Sequence, residues 1–543
     1  MNIYQLFVRV FGNRNDAWRP NGSREQNGCG TFNDITDNEI ERVKSLGISH
    51  IWLTGVIRHS TETDYSEIGL KATNPLITKG LAGSPYSIID YYDIDPDLAE
   101  NPSERMKEFE SVVERIHNHG LKVIIDFIPN HLAREYKSLC KPEIENDFGA
   151  YDDKNVEFSQ NNNFYYCPNQ LYVNPIGDSE KYCEFPAKAS GNDVFRPNPS
   201  ANDWYDAIKL NYGIDYRDGS RHFNPIPDTW RKMLNVIRFW CSKGIDGFRV
   251  DMAEMVPVEF WRWAISNARY DFNITMIAEI YQPNLYKDYI EAGFDYLYDK
   301  VGLYNTLENI CRYGQRAETI SDVWKNLNGL DDNMLRFMEN HDEVRLASKC
   351  FMKRAENAFP FVALSALMNR GPFMIYNGQE YGEDADGAAG FSGDDGRTSI
   401  FDYVSMKSMV SGNTNSEVYE FYSKLLNFRE KSKAIQKGGF YDLMWANPWY
   451  SDFDPQYLYA FLRYCDDEKL LIVINFNLDE VRKATVTIPE DAINMVGGCE
   501  KEYHVDLKPG EVKIVDLLEN CRDGAAPSES RSNLGLNHGL FTV

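Results

Sequence analysis

The sequence predicts an α/β fold: a (β/α)8 TIM barrel carrying an irregular inserted segment and followed by an antiparallel β domain. Three observations carry that expectation. Apolar runs such as Leu121-Lys-Val-Ile-Ile-Asp126 recur along the chain, apolar enough to be strands buried on both faces, as in parallel sheets covered by helices. Helix-like segments alternate with them, and the strand-like runs number eight, which is what closes such a barrel. Several runs end in acids: Val250-Asp251, Ile277-Ala278-Glu279 and Asn340-His341-Asp342, with Asp126-Phe-Ile-Pro-Asn-His131 upstream. In a closed barrel all such ends open on one rim, so residues distant in sequence converge there.

The eight strands are expected at 3–11, 50–53, 121–126, 247–251, 274–280, 294–299, 334–338 and 373–376. Before the third, Asn101-Pro-Ser-Glu104 reads as a helix start, with a capping residue, then Pro at the first position and Glu near the third. Met106, Phe109, Val112, Val113 and Ile116 then share one apolar face, and Gly120 ends the helix. The pattern repeats over 228–244, 257–268 and 283–293, each time just ahead of a strand. An open doubly wound sheet would carry a Gly-rich phosphate loop after its first strand, and no such loop is visible.

Barrel sequence thus occupies 1–131 and 205–432. Between them, over 132–204, the periodicity fails and Asn, Asp, Pro, Tyr and Phe dominate, as in Asn161-Asn-Asn-Phe-Tyr-Tyr-Cys167. Some seventy residues exceed one loop, so the segment reads as a small inserted domain on the acidic rim. Over 433–517 short strands take over, as in Leu470-Leu-Ile-Val-Ile-Asn-Phe476 and Ala484-Thr-Val-Thr-Ile488, the pattern of an antiparallel domain. The small polar residues of 518–543 predict a disordered tail.

At 543 residues the chain exceeds a single core, and its 43% hydrophobic content suits a soluble globular protein. A formal net charge of −25 repels phosphate backbones and argues against nucleic acid, while a neutral substrate is unaffected. No apolar run approaches the roughly 20 residues of a membrane span. The opening Met1-Asn-Ile-Tyr-Gln-Leu-Phe reads as a strand and not a secretion signal, so a cytoplasmic protein is expected, with a periplasmic or secreted one as the alternative if a leader has been removed. Ten irregularly spaced Cys with no C-x-x-C pair read as separate thiols. Oligomeric state leaves no trace in the sequence.

A single acid at a strand end is most often a cap or a loop hydrogen-bonder. The ordered set is different. Asp126-Phe-Ile-Pro-Asn-His131, Gly247-Phe-Arg-Val-Asp251, Ala278-Glu279 and Glu339-Asn-His-Asp342, with Ser84-Pro-Tyr86 and Gly371 to Glu380, resemble the alpha-amylase family of retaining glycoside hydrolases and transglycosylases. The resemblance covers about residues 1–517. It implies a catalytic barrel, an inserted domain and a C-terminal β domain, acting on a neutral α-glucan or oligosaccharide. Retention takes a nucleophile and an acid on carboxyls about 5–5.5 Å apart. By resemblance Asp251 is the nucleophile, Glu279 the acid/base and Asp342 the third acid. Tyr86 stacks on the sugar, and His131 and His341 hydrogen-bond it. Arg249 precedes Asp251 by two residues on one strand, so both side chains face one side, and its charge is expected to keep Asp251 ionised. Glu279 is expected to hold a proton near neutrality.

The resemblance also implies a calcium ion between barrel and insertion, with Asn130 as a ligand. Zinc is not expected, since no H-E-x-x-H or similar pair is present. Three departures bear on specificity. Glu254-Met255 stands where many family members carry Lys-His, and Lys209-Leu-Asn-Tyr-Gly213 matches a further family segment only loosely. Gly83 stands where exo-acting α-glucosidases commonly have an Asp that grips a terminal sugar. Hydrolysis of α-1,4-glucans in maltooligosaccharides or starch-like substrates is the leading expectation. A 4-α-glucanotransferase or an α-glucosidase would use the same residues, and a non-catalytic glucan-binding protein would not need all three acids.

Overall fold

The computed structural model describes residues 1–177, 180–410 and 415–518. Eight strands form a closed parallel barrel: β1 (Asn2–Phe7), β2 (His50–Thr54), β3 (Lys122–Phe127), β4 (Gly247–Val250), β5 (Thr275–Ala278), β6 (Tyr296–Tyr298), β7 (Met334–Phe337) and β8 (Phe373–Tyr376). Each pairs with its sequence neighbours, and β8 closes the ring against β1 with Asn2 opposite Phe373. The expected (β/α)8 barrel is therefore the fold. Its strands are short and buried on both faces, which is why they read as apolar runs without alternation.

The helices obey their local signals. Asn101 accepts a hydrogen bond from Ser103 N–H, Pro102 opens a 3-10 turn, and the helix Arg105–Asn118 runs to Gly120, whose φ of +76° ends it. The helices of Asp228–Ser242 and Val258–Asp271 then precede β4 and β5. The helix Phe359–Leu367 is buried all round, as befits nine residues that are almost wholly apolar. It lies between barrel and C-terminal sheet, with the Phe361 ring 5.0 Å from that of Phe476.

Three strands, β1, β5 and β6, are each shorter than expected. The run over 3–11 alternates well enough to read as one strand, but the strand ends at Phe7 and Val8–Phe11 form a helical turn. Asn377 Oδ1 accepts the Phe7 N–H at 2.7 Å, and the turn aims the buried Arg9 guanidinium at the carbonyls of Ala82 and Ile400, each 3.0 Å away. Tertiary contacts override local alternation there.

Between β3 and Asp228–Ser242 the chain makes only short pairings. His131–Ala133 runs antiparallel to Ala207–Lys209, and the pairs Tyr166–Cys167 with Ala187–Lys188 and Tyr172–Val173 with Cys183–Glu184 lie between. After the barrel, β9 (Gly439–Asp442), β10 (Leu458–Tyr464), β11 (Lys469–Asn475) and β14 (Val512–Asp516) form an antiparallel sheet in that order. β12 (Arg482–Thr487) pairs with β13 (Glu502–Leu507). The tail expected over 518–543 lies, beyond Leu518, outside the described residues. Among the described residues no helix is long and apolar enough to cross a membrane, and no disulfide occurs.

Two buried arginines tie the barrel to the C-terminal part of the chain. Arg429 donates to Ala366 O at 2.8 Å and to Asn2 Oδ1 at 3.0 Å. Arg463, on β10, donates to the carbonyls of Met368, Ala434, Ile435 and Gly438 at 3.0–3.1 Å. Replacing Arg463 by Met keeps the apolar stem but strands those carbonyls out of water, and should cost roughly 3 kcal/mol. The expected readout is a lowered Tm; a variant that melts with the parent would contradict this role for the junction.

Candidate active site

The acids occupy the last rungs of the parallel ladder. Asp251 N–H donates to Phe127 O at 2.9 Å and Glu279 N–H to Val250 O at 3.0 Å, so β3, β4 and β5 hold the two backbones side by side. Their side chains turn into a cleft of about 280 Å³, lined also by Tyr86, His131, Trp204, Tyr281 and Asp342. Arg249 and His341 lie beneath its floor, each 1% exposed.

Arg249 organises the carboxyls. Its Nη1 donates to Asp251 Oδ1 at 3.0 Å and lies 3.6 Å from Asp126 Oδ1, while Nη2 is 2.8 Å from Glu279 Oε1. Nε donates to Tyr298 Oη at 3.1 Å, and the rings of Trp52, Tyr86 and Tyr298 lie 5.3–5.5 Å from the guanidinium carbon. One cation is thus divided among three acids. Arg249 favours the ionised form of Asp251, and two effects work against it. Burial first, and then the charge of Glu279, push the Asp251 carboxyl well above the usual carboxylate range, and Arg249 only opposes the shift.

Glu279 is held from both oxygens. Tyr281 Oη donates to Oε1 at 2.6 Å, and the Met252 N–H donates to Oε2 at 2.9 Å. Met252 has φ +42°, ψ +47°, a left-handed conformation that costs a side-chain-bearing residue energy. It aims the amide that follows Asp251 at Glu279, joining the two acids through one strained residue. Glu254 Oε2 accepts the N–H groups of Tyr281 and Gln282, each at 3.0 Å, and so braces the segment bearing Tyr281.

Asp342 stands on the loop after β7. Asn340 Oδ1 accepts the N–H groups of Asp342 and Glu343 at 2.9 and 3.0 Å and shapes that turn. Burial raises the Asp342 carboxyl, but the charge and hydrogen bond of His341, whose Nε2 is 3.0 Å from Oδ2, bring it below its usual range. The same Nε2 lies 2.5 Å from Tyr86 Oη, and the two rings stack at 5.3 Å. Gln5 faces the other ring nitrogen, its Nε2 2.8 Å from Nδ1. His131 is buried, and that burial, with the charges of Lys209 and Lys79, lowers it to about 3, so it is neutral at physiological pH.

All of Tyr86, His131, Arg249, Asp251, Glu279, His341 and Asp342 therefore meet around one cleft or directly under it. Asn130 does not reach the cleft. It is wholly buried, its Nδ2 donates to Gly191 O at 2.8 Å, and its Oδ1 accepts from the ammonium of Lys209. The calcium expected at Asn130 finds a cation already bonded to that oxygen, and the donor set as folded does not fit a divalent ion. Gly83 has φ +69°, and a Cβ there would stand 1.6 Å from Ser60 O, so this loop has no room for a carboxylate. Tyr281 could have been anticipated from its place two residues after Glu279. Lys79, Trp204 and Phe391 enter the cleft from irregular segments whose sequence gives no periodic signal.

The family description "Alpha amylase, catalytic domain" matches residues 5–395, most of the chain. The chain belongs to the alpha-amylase family. Family members similar to it include "Alpha-amylase 2" of Dictyoglomus thermophilum, 23% identical over 487 residues, 87% of this chain and 68% of that one. "Cyclomaltodextrin glucanotransferase" of Bacillus sp. (strain 1011) is 23% identical over 476 residues, 82% of this chain and 56% of that one. "Maltase A1" of Drosophila melanogaster is 25% identical over 255 residues, 46% of this chain. The chain spans 34% of the maltase's length and little more than half of the transferase's. The same fold occurs in the alpha-amylase of Geobacillus thermoleovorans, TM-score 0.61 at 19% identity over 95% of this chain and 97% of that one. It recurs in the cyclic alpha-maltosyl-(1-->6)-maltose hydrolase of Arthrobacter globiformis, TM-score 0.64 at 16% identity over 95% and 97%.

The raised Asp251 carboxyl sets a pH dependence for this alpha-amylase family site. Its ionised form is lost as pH falls through a value above the ordinary carboxylate range, so the acid limb of kcat/KM should sit above about pH 4. His131, lowered to about 3, adds no limb there, so His131→Ala should lower kcat/KM without moving that limb. A limb at or below pH 4, or one that shifts with His131→Ala, would contradict this electrostatic picture.

Proposed function

We propose that the protein is a retaining glycoside hydrolase that cleaves α-1,4-glucosidic bonds in maltooligosaccharides or starch-like glucans. The observation that carries this reading is the single guanidinium that holds Asp251 and Glu279 beside each other, at 3.0 and 2.8 Å, on the wall of a cleft that Asp342 also lines. Asp251 attacks the anomeric carbon while the glycosidic C–O bond breaks, and the departing oxygen takes the proton of Glu279. Water then gives a proton to Glu279 and its oxygen to the anomeric carbon, and the ester bond to Asp251 breaks. Asp342, held ionised by His341, stabilises the positive charge that builds on the sugar ring. Neutral His131 hydrogen-bonds sugar hydroxyls, and Tyr86 stacks on the ring.

Transfer uses the same residues and differs only in that a sugar hydroxyl replaces water. The match to a cyclomaltodextrin glucanotransferase favours that second reading as much as the matches to alpha-amylases favour hydrolysis, since both lie at 23% identity. Incubation with maltoheptaose separates the two: shorter sugars alone are expected, and longer ones would move the assignment to transfer.

Variants of the two acids divide their roles. With Glu279→Gln, turnover of maltoheptaose should fall roughly 10²–10⁴-fold, while a glycosyl fluoride, whose leaving group needs no proton, is still consumed. Asp251→Asn should abolish both reactions. Equal loss on both substrates with Glu279→Gln would remove Glu279 from the acid's role.

The blocked position at Gly83 and the charge of the chain bear on substrate size. With no carboxylate there to grip a terminal glucose, chains of four or more units should give a higher kcat/KM than maltose. A neutral substrate gains nothing from steering by a −25 protein, so the constants should change little with salt. A best rate on maltose would favour an α-glucosidase, and a steep salt dependence would reject a neutral substrate.

A further inference from the structure

The inserted segment returns to the barrel through Ala207–Lys209, whose pairing sets Lys209 directly opposite His131. The Lys209 side chain runs inward and is 8% exposed. Its ammonium meets three oxygens. Asp193 Oδ1 lies 2.7 Å away in the insertion, Met255 O accepts at 3.1 Å from the segment after β4, and Asn130 Oδ1 accepts from the segment after β3. An ammonium has three N–H donors and no acceptor, so three oxygens complete it.

We propose that Lys209 is a built-in cation at the joint between barrel and insertion, which replaces a divalent metal there and makes the joint independent of calcium. The oxygens come from three separate segments, and the one ammonium joins them. A calcium ion would need six to eight oxygens at 2.3–2.6 Å and the removal of the ammonium from their midst. The partners are committed to the lysine. Asn130 points its amide oxygen at the ammonium while its Nδ2 is bonded to Gly191 O, and Asp193 is held in the left-handed region, at φ +63°. Burial lowers the Lys209 pKa and Asp193 opposes that shift, as expected of an ammonium that depends on this one carboxylate. The joint matters to the cleft because Trp204, Asp206 and His131 line it from the two paired strands and their flanks.

The test is thermal melting of the full chain, which reads the joint whatever the enzyme's substrate proves to be. A cation that binds only the folded state raises Tm. The parent should therefore melt at the same temperature after exhaustive EDTA treatment and after addition of millimolar calcium chloride. Lys209→Met keeps the stem but leaves the buried Asn130 Oδ1, the Met255 carbonyl and the part-exposed Asp193 carboxylate without their donor, and should lower Tm by a few degrees. If that variant does not fold, Asp193→Asn, which keeps the shape and removes only the charge, should melt below the parent. Loss of Tm in EDTA, a gain with calcium, or Lys209→Met and Asp193→Asn melting with the parent would each overturn the proposal.

Discussion

Arg249 is the fixed charge on which the mouth of the barrel is assembled. Strand ends deliver Asp126, Asp251, Glu279 and Asp342 to one place, and each buried ion forfeits several kcal/mol of hydration. One guanidinium cannot offset four such acids, so the fold divides them. Asp126 accepts the Trp52 indole N–H and the Gly55 N–H at 3.1 and 3.2 Å, and Asp342 takes His341. Glu279 has the Met252 amide and Tyr281 in addition to Arg249. Asp251 leans on the one hydrogen bond from Arg249, and its carboxyl is pushed well above its usual range.

Rigidity around that charge comes from backbone that has little freedom to move. The ladder bonds of Asp251 and Glu279 fix the two acids relative to β3, β4 and β5. Met252 is strained so that its amide reaches Glu279, and the Gly83 loop packs so tightly on Ser60 that no side chain could replace the hydrogen. The insertion, with few strands of its own, is held by the ammonium of Lys209 and by the pairing of Lys209 with His131. Positive charge thus serves both places, under the acids and at the joint, in a protein whose net charge is −25.

The barrel is legible in the sequence because strands buried on both faces leave short apolar runs that alternate with helix-like segments and recur eight times. The contact between Arg249 and Asp251 is legible too, from the period of two along a strand. Its consequence is not, because the sign of the Asp251 shift depends on burial and on Glu279, which lies 28 residues away in sequence. The end of β1 escapes a sequence reading for a similar reason: Val8–Phe11 turns to satisfy Arg9 with carbonyls from Ala82 and Ile400, contacts that no local pattern encodes. Lys209 is visible as a departure from the family's segment. Only the pairing of 207–209 with 131–133 reveals that its side chain ends where a metal is expected. Cleft residues from irregular segments, such as Trp204 and Phe391, carry no periodic signal at all.

The central claim is that Asp251 forms a covalent bond to the sugar. A fluorinated maltosyl fluoride that reacts once and hydrolyses slowly would trap that intermediate, and mass spectrometry of the tryptic digest would locate it. One added glycosyl group is expected on the peptide Val250–Arg262, placed on Asp251 by fragmentation and absent when Asp251→Asn is treated in the same way. An unlabelled enzyme that nevertheless consumes the fluoride, or a label on any other carboxylate, would contradict it.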